Sequence, residues 1–136
     1  MSLSNVWVQT PADGLIRADQ VVGIDAHQTP ALTGKPSRWL LDVVLPVAIG
    51  SGTREGWSAS VLHRTLIQTN EDPGLAAVAL ARLLAQLDLV SAAGVISAAR
   101  VDTAGRDDPA ATGPVRLRFT PFASPDPGHH TGAEYL

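Results

Sequence analysis

The alternation of apolar and polar positions is clearest over residues 38–48. Trp39, Leu41 and Val43 fall on one side of that segment, and Asp42 falls on the other. Side chains of a β-strand point alternately to opposite faces of the sheet, so a wholly apolar set is expected to face the core. The segment therefore predicts a strand with one buried face.

Shorter alternating stretches predict further strands. They lie at residues 5–9 and 20–27, and a hairpin pairs residues 95–101 with residues 114–120. The first half of that hairpin stays open between strand and helix. Its alanines permit a helix, whereas Gly94 interrupts one. The clear alternation of the second half favours the hairpin.

Residues 57–69 alternate imperfectly, although their composition is typical of a strand. Ile67 falls on the same face as His63, whereas Leu62 and Leu66 fall on the opposite face. Two explanations fit this pattern. Either a β-bulge changes the register within the strand, or both of its faces are partly covered.

One long segment of the chain, residues 73–88, has apolar residues at helical spacing. Asp72 is the predicted N-cap, and Pro73 suits the first helical position. The apolar stripe of this helix consists of Ala76, Leu80, Leu83, Leu84 and Leu87. We expect the stripe to pack on the sheet face that carries Trp39, Leu41 and Val43.

Strands first, then a helix, then more strands predict an α+β fold. The expected architecture is an antiparallel β-sheet, a meander, packed by one main α-helix, with a C-terminal β-hairpin. Residues 1–122 are expected to form a single domain. Residues 123–136 are polar and rich in proline and glycine, which predicts a mobile C-terminal tail.

Composition excludes several classes of functional site and partner. The 136 residues include no cysteine, which excludes disulfides, thiolate nucleophiles and zinc sites built on cysteine. The net charge of −3 argues against a broad nucleic-acid surface. No apolar run is long enough to cross a bilayer and no secretory leader pattern is present, so we expect no membrane partner and a cytoplasmic location.

The glycine-rich segment IGSGTREG, residues 49–56, resembles a phosphate-binding loop only superficially. Its spacing matches neither the dinucleotide fingerprint nor the P-loop, and the lysine of the P-loop is missing. The segment that follows is predicted to be a strand, so no helix N-terminus would face a phosphate. We expect a connection between strands and no nucleotide cofactor.

Three residues are candidates for ligand binding: His63, Asp42 and Arg64. Adjacent residues of a strand point to opposite faces, so His63 and Arg64 are not expected to meet on one ligand. His63 is expected to be satisfied by a backbone carbonyl or by Asp25 or Asp42 across the sheet. No catalytic residue and no metal ligand is assigned, because the serines lack a nucleophile elbow and the adjacent tail histidines lack metal-site spacing.

Apolar positions on both faces of the central strands favour a non-enzymatic protein–protein interaction module that self-associates, most simply as a dimer. One helix covers only one face of a sheet, and a second subunit would cover the other. The candidate interface residues are Leu40, Val44, Leu62, Leu66 and Trp57. The C-terminal hairpin, folded back over that face, is the competing cover.

A small-ligand-binding protein or enzyme with a pocket near His63 and Asp42 is the alternative function. Such a pocket would require several polar side chains to converge on one concave surface. Nucleic-acid binding through Arg64, Arg116 and Arg118 ranks last, because the chain is acidic overall.

Overall fold

The computed structural model describes residues 1–46, 61–108, 111 and 113–123. These residues form an α+β architecture with one α-helix and two β-sheets. The elements in chain order are β1 (Val6–Thr10), β2 (Gly14–Arg17), β3 (Gly23–Gln28), β4 (Trp39–Pro46), β5 (Val61–Thr69), α1 (Ala76–Leu89), β6 (Gly94–Arg100) and β7 (Val115–Pro121).

The predicted single antiparallel sheet is two separate sheets. One is a four-stranded mixed sheet in the order β2-β1-β6-β7, in which β1 pairs with β6 in parallel. The other is the antiparallel meander β3-β4-β5. A short 3₁₀ turn, Ala18–Gln20, leads the chain from the first sheet to the second. The C-terminal hairpin is confirmed as β6 and β7, so the segment left open between helix and strand is a strand.

The helix begins later than its sequence predicts. Asp72 was expected to cap it, but the Oδ1 atom of Asp72 accepts a hydrogen bond from the backbone N–H of Gly74 at 2.8 Å. Gly74 adopts a φ of +68°, a left-handed conformation that a helix cannot include. The proline and glycine therefore form a turn, and α1 starts at Ala76.

The core lies between the two sheets and the helix. Helix α1 contacts β3 of the meander and β7 of the four-stranded sheet, so it bridges both. The buried apolar side chains that form the main core cluster are Val6, Val8, Ala18, Leu41, Val43, Leu66, Ala76, Leu80, Leu87 and Ile96. The expected contribution of Leu41 and Val43 to the core is confirmed, whereas Trp39 is only half-buried.

A register shift explains the imperfect alternation of β5. Leu41 lies opposite Ile67, but the next residue, Asp42, lies opposite Thr65, which leaves Leu66 as the extra residue of a bulge. Leu66 is 4% exposed and belongs to the core. Of the two explanations that the sequence left open, the bulge is therefore confirmed.

Some of the predictions concern residues outside the described ranges. These are the glycine-rich segment 49–56, Trp57 at the start of the strand predicted over residues 57–69, and nearly all of the tail 123–136. Among the described residues, no helix has the length and apolar character needed to cross a membrane.

Candidate functional site

Four titratable side chains meet on the face of the meander that points away from the core. Asp25 and His27 are two residues apart on β3, so both side chains lie on the same face. Asp42 lies opposite Asp25 on β4. His63 lies on β5, two residues before Thr65, the partner of Asp42. Three adjacent, hydrogen-bonded strands therefore position one cluster, which we call the Asp42 cluster.

The two imidazoles converge on one carboxylate. His27 Nε2 lies 2.9 Å from Asp42 Oδ2, and His63 Nδ1 lies 3.5 Å from the same oxygen. Asp25 Oδ2 is 4.0 Å from His63 Nδ1. The two rings stand nearly edge to face, with centroids 5.9 Å apart and an interplanar angle of 77°. Both rings thus present nitrogen atoms to the oxygens of Asp42.

Asp42 is the buried floor of this arrangement. The residue is 1% exposed, whereas the side chains of His27 and His63 are 41% and 43% exposed. Among the described residues, its Oδ1 atom has no hydrogen-bond partner. A buried polar atom without a partner costs on the order of 1–3 kcal/mol, more when it is charged. The cluster is therefore a shallow depression with reachable imidazoles and a desolvated carboxylate beneath them, and Leu40 and Thr65 complete its lining.

The electrostatics of the cluster act most strongly on His27. Its hydrogen bond with Asp42 raises the pKa of the imidazole above 6.5, and the negative charges of Asp42 and Asp25 act in the same direction. Partial desolvation opposes the shift without cancelling it. Folding therefore favours the protonated form of His27 relative to the same imidazole in the unfolded chain.

This shift predicts a pH-dependent contribution to stability. A raised folded-state pKa means that the contribution is complete below the unfolded-state value of about 6.5 and is lost as the pH rises through the folded-state pKa. A proton NMR titration should give His27 a midpoint above 6.5 and return it toward the ordinary value in Asp42→Asn. The difference in unfolding free energy between the wild type and the variant should shrink over the same pH range. Equal midpoints for His27 in the two proteins would contradict the assigned hydrogen bond.

The structure joins two of the three residues predicted to bind a ligand and separates the third. His63 and Asp42 share the cluster, as their positions across the sheet led us to expect. Arg64 points to the opposite face, where its Nε atom lies 3.9 Å from Asp13 Oδ2. His27 was not among the candidates, although the alternation of β3 places it beside Asp25 and gives the signal that could have found it.

The five candidate interface residues do not form one surface. Leu40 and Val44 lie on the face of the Asp42 cluster and are half-buried. Leu62 pairs with Leu45 on the core side, and it is 38% exposed near the end of β5. Leu66 is in the core, and Trp57 lies outside the described residues. Leu62 and Leu66 are absent from the face of Leu40 and Val44 because β5 pairs Leu62 with Leu45 and His63 with Val44, a register that alternation along one strand does not give.

Comparison with known proteins gives no match: no protein-family model, no curated protein and no solved structure is similar to this chain. The chemistry of the site therefore has to be inferred from its own atoms. Two imidazoles and two carboxylates can accept or donate protons, hydrogen-bond a polar molecule, or ligate a cation.

Proposed function

We propose that the protein is a small-ligand-binding domain and that the Asp42 cluster is its binding site. The proposal rests on the carboxylate of Asp42, which is almost fully buried and whose Oδ1 atom has no hydrogen-bond partner within the part of the chain that the structure describes. Buried polar atoms in folded proteins are nearly always paired, so an exception needs a reason. A ligand that binds the carboxylate of Asp42 through Oδ1 would supply the missing partner.

The position of the cluster favours a role in ligand binding over a role in stabilising the fold. The apolar core is on the opposite side of the meander, so the Asp42 cluster is not part of the apolar packing that holds the sheets together. Asp42 occupies the central strand and has hydrogen-bonded strands on both sides, which restricts its movement. Binding groups held on regular elements of a rigid scaffold are oriented before the ligand arrives.

Backbone amide NMR tests this proposal with defined probes. Sodium acetate, sodium phosphate, imidazole, MgCl₂ and ZnCl₂ are added separately to the full-length protein. At least one probe should give saturable shifts centred on the amides of the three strands around Asp42, and those shifts should be lost in His63→Ala. Arg64→Ala is the matched control, because it changes the neighbouring residue on the other face of the same strand. The absence of saturable shifts at these amides with every probe would refute the proposal.

Self-association is the second candidate function, and the apolar residues beside the cluster favour it. Leu40 and Val44 remain only half-buried on a face that points away from the core of the described residues. A second copy of the chain placed on this face would bury them further. Sedimentation at tens of micromolar should then give a mass near twice 14.2 kDa, shifted toward the monomer by Val44→Asp. A monomeric mass under these conditions would exclude self-association and would not affect the proposal that the Asp42 cluster binds a ligand.

A further inference from the structure

We infer that the ligand of the Asp42 cluster is a divalent transition-metal ion, with Zn²⁺ as the best fit, held by His27 Nε2, His63 Nδ1 and carboxylate oxygens of Asp42 and Asp25. This inference rests on the proposed function and specifies its ligand. It is carried by the convergence of two imidazole nitrogens and two carboxylates, together with the unpartnered oxygen of the buried carboxylate.

The spacing of the donor atoms fits tetrahedral coordination. Zinc binds histidine nitrogen and carboxylate oxygen at about 2.0–2.2 Å, so neighbouring ligand atoms of a tetrahedron lie about 3.3–3.6 Å apart. The distances within the cluster are 2.9 Å from His27 Nε2 to Asp42 Oδ2, 3.5 Å from His63 Nδ1 to the same oxygen, and 4.0 Å from His63 Nδ1 to Asp25 Oδ2. Ligand atoms of Asp25, His27 and His63 all lie within 4.8 Å of one another. Side-chain movements of a few tenths of an ångström to about one ångström would thus complete the sphere.

The types of donor atom in the cluster determine which metal ion it would prefer. Imidazole nitrogen suits zinc, copper, iron and nickel, whereas magnesium and calcium prefer sites made of oxygen alone. Two carboxylates match the double charge of the ion, so a loaded cluster with neutral imidazoles would carry no net charge. The chain contains no cysteine, so a histidine and carboxylate set is the type of zinc site available to it.

All four ligands lie on strands, so the scaffold holds them without help from a loop. Asp25 and His27 come from one strand, and Asp42 comes from the strand hydrogen-bonded to it. His63 comes from β5, which pairs with the opposite edge of β4. The bulge lies further along β5, between Thr65 and Ile67. Asp42, buried at the floor, would hold the ion from below, and the exposed imidazoles would close over it from the solvent side.

Isothermal titration calorimetry with ZnCl₂ tests the inference. The full-length chain carries His129→Ala and His130→Ala, so that the adjacent tail histidines do not contribute a second site. One equivalent of Zn²⁺ should bind to this protein, and His27→Ala or His63→Ala should weaken binding at least 100-fold. Both histidines are about two-fifths exposed, so these variants should fold, which circular dichroism checks. MgCl₂ should show no saturable heat.

A matched pair of carboxylate variants assigns the acidic ligands. Asp25→Asn should weaken zinc binding by about 10-fold or more, whereas Asp13→Asn should leave it unchanged, because Asp13 is similarly exposed and lies beside Arg64 on the opposite face. The nitrogen resonances of His27 Nε2 and His63 Nδ1 should also move on addition of one equivalent of Zn²⁺.

The outcomes separate the metal from the more general proposal. Zinc binding that survives His63→Ala unchanged, or no saturable zinc binding by the folded protein, would overturn the metal site. If acetate, phosphate or imidazole still shifts the amides around Asp42 in that case, the ligand-binding proposal stands and only the identity of the ligand is wrong. If no probe acts there, both proposals fall.

Discussion

Leu80→Ala should lower the free energy of unfolding by about 2–5 kcal/mol. Leu80 is fully buried on α1 and packs into the core that both sheets share. Truncation to alanine removes apolar contacts and leaves a cavity that rigid neighbouring strands cannot close completely. The sequence pattern ranked Leu84 alongside Leu80, but Leu84 is only partly buried, so Leu84→Ala should cost less.

Urea denaturation followed by circular dichroism measures these differences. Leu89→Ala is the control, because Leu89 ends the same helix and is 66% exposed. Its effect should stay within about 0.5 kcal/mol, the usual range for surface substitutions. A loss for Leu80→Ala no greater than that for Leu89→Ala would show that the helix does not pack as described.

Gly94→Ala should destabilise the protein by about 3 kcal/mol or more, the upper part of the range for overpacking. A Cβ atom at this position would lie 2.6 Å from Phe119 Cζ and 2.7 Å from Pro121 Cα, and it would also collide with the carbonyl oxygen of Thr120. Two of these three atoms belong to the backbone of β7, which cannot move away without breaking its pairing with β6. If Phe119 Cζ were the only obstacle, a change in the rotamer of Phe119 could relieve the collision.

Gly23→Ala is the matched control for this substitution. Gly23 also begins a strand, but its added Cβ would make only van der Waals contact with Val44, at 3.4 Å. Its effect should remain within about 1 kcal/mol, the span of strand propensities measured in host proteins. If thermal unfolding ranks Gly23→Ala as the more damaging of the two, the close approach of β6 and β7 is wrong.

The sequence located most elements because each has a local signature. The alternation of β4, the helical spacing of α1 and the alternation of β7 all depend on neighbours along the chain. The division into two sheets depends on the parallel pairing of β1 with β6, for example Trp7 with Val95. A local pattern cannot predict a pairing between residues so far apart in the sequence. The alternation along a strand is the same whichever strand it pairs with.

The site was predictable only in part, for a related reason. Alternation correctly separated His63 from Arg64 and placed His63 near Asp42 or Asp25. The bulge then reversed the parity of β5, so Ile67 lies opposite Leu41 on the core side, although alternation had placed it on the face of His63. The burial of Asp42 was not predictable either, since it results from the side chains of three strands that enclose one carboxylate.

We propose that the Asp42 cluster serves binding and that it lowers the stability of the unliganded fold once the pH is high enough for the stabilising pair of protonated His27 with Asp42 to be lost. Replacing a buried ionic group by an apolar residue of similar volume is often neutral or stabilising, whereas removing a group that the fold needs is costly. His27, the hydrogen-bond partner of Asp42, is accessible enough for water to replace the lost bond. Valine suits the central strand of a sheet and has no unpartnered oxygen.

The unfolding free energy of Asp42→Val, measured by urea denaturation in the absence of ligand, tests this claim most directly. At pH 9, where protonation of His27 contributes less to stability than at neutral pH, we predict that the variant is as stable as the wild type within about 1 kcal/mol, or more stable. A variant that is less stable by more than about 2 kcal/mol, or that does not fold, would contradict the claim and make the cluster a structural element of the fold.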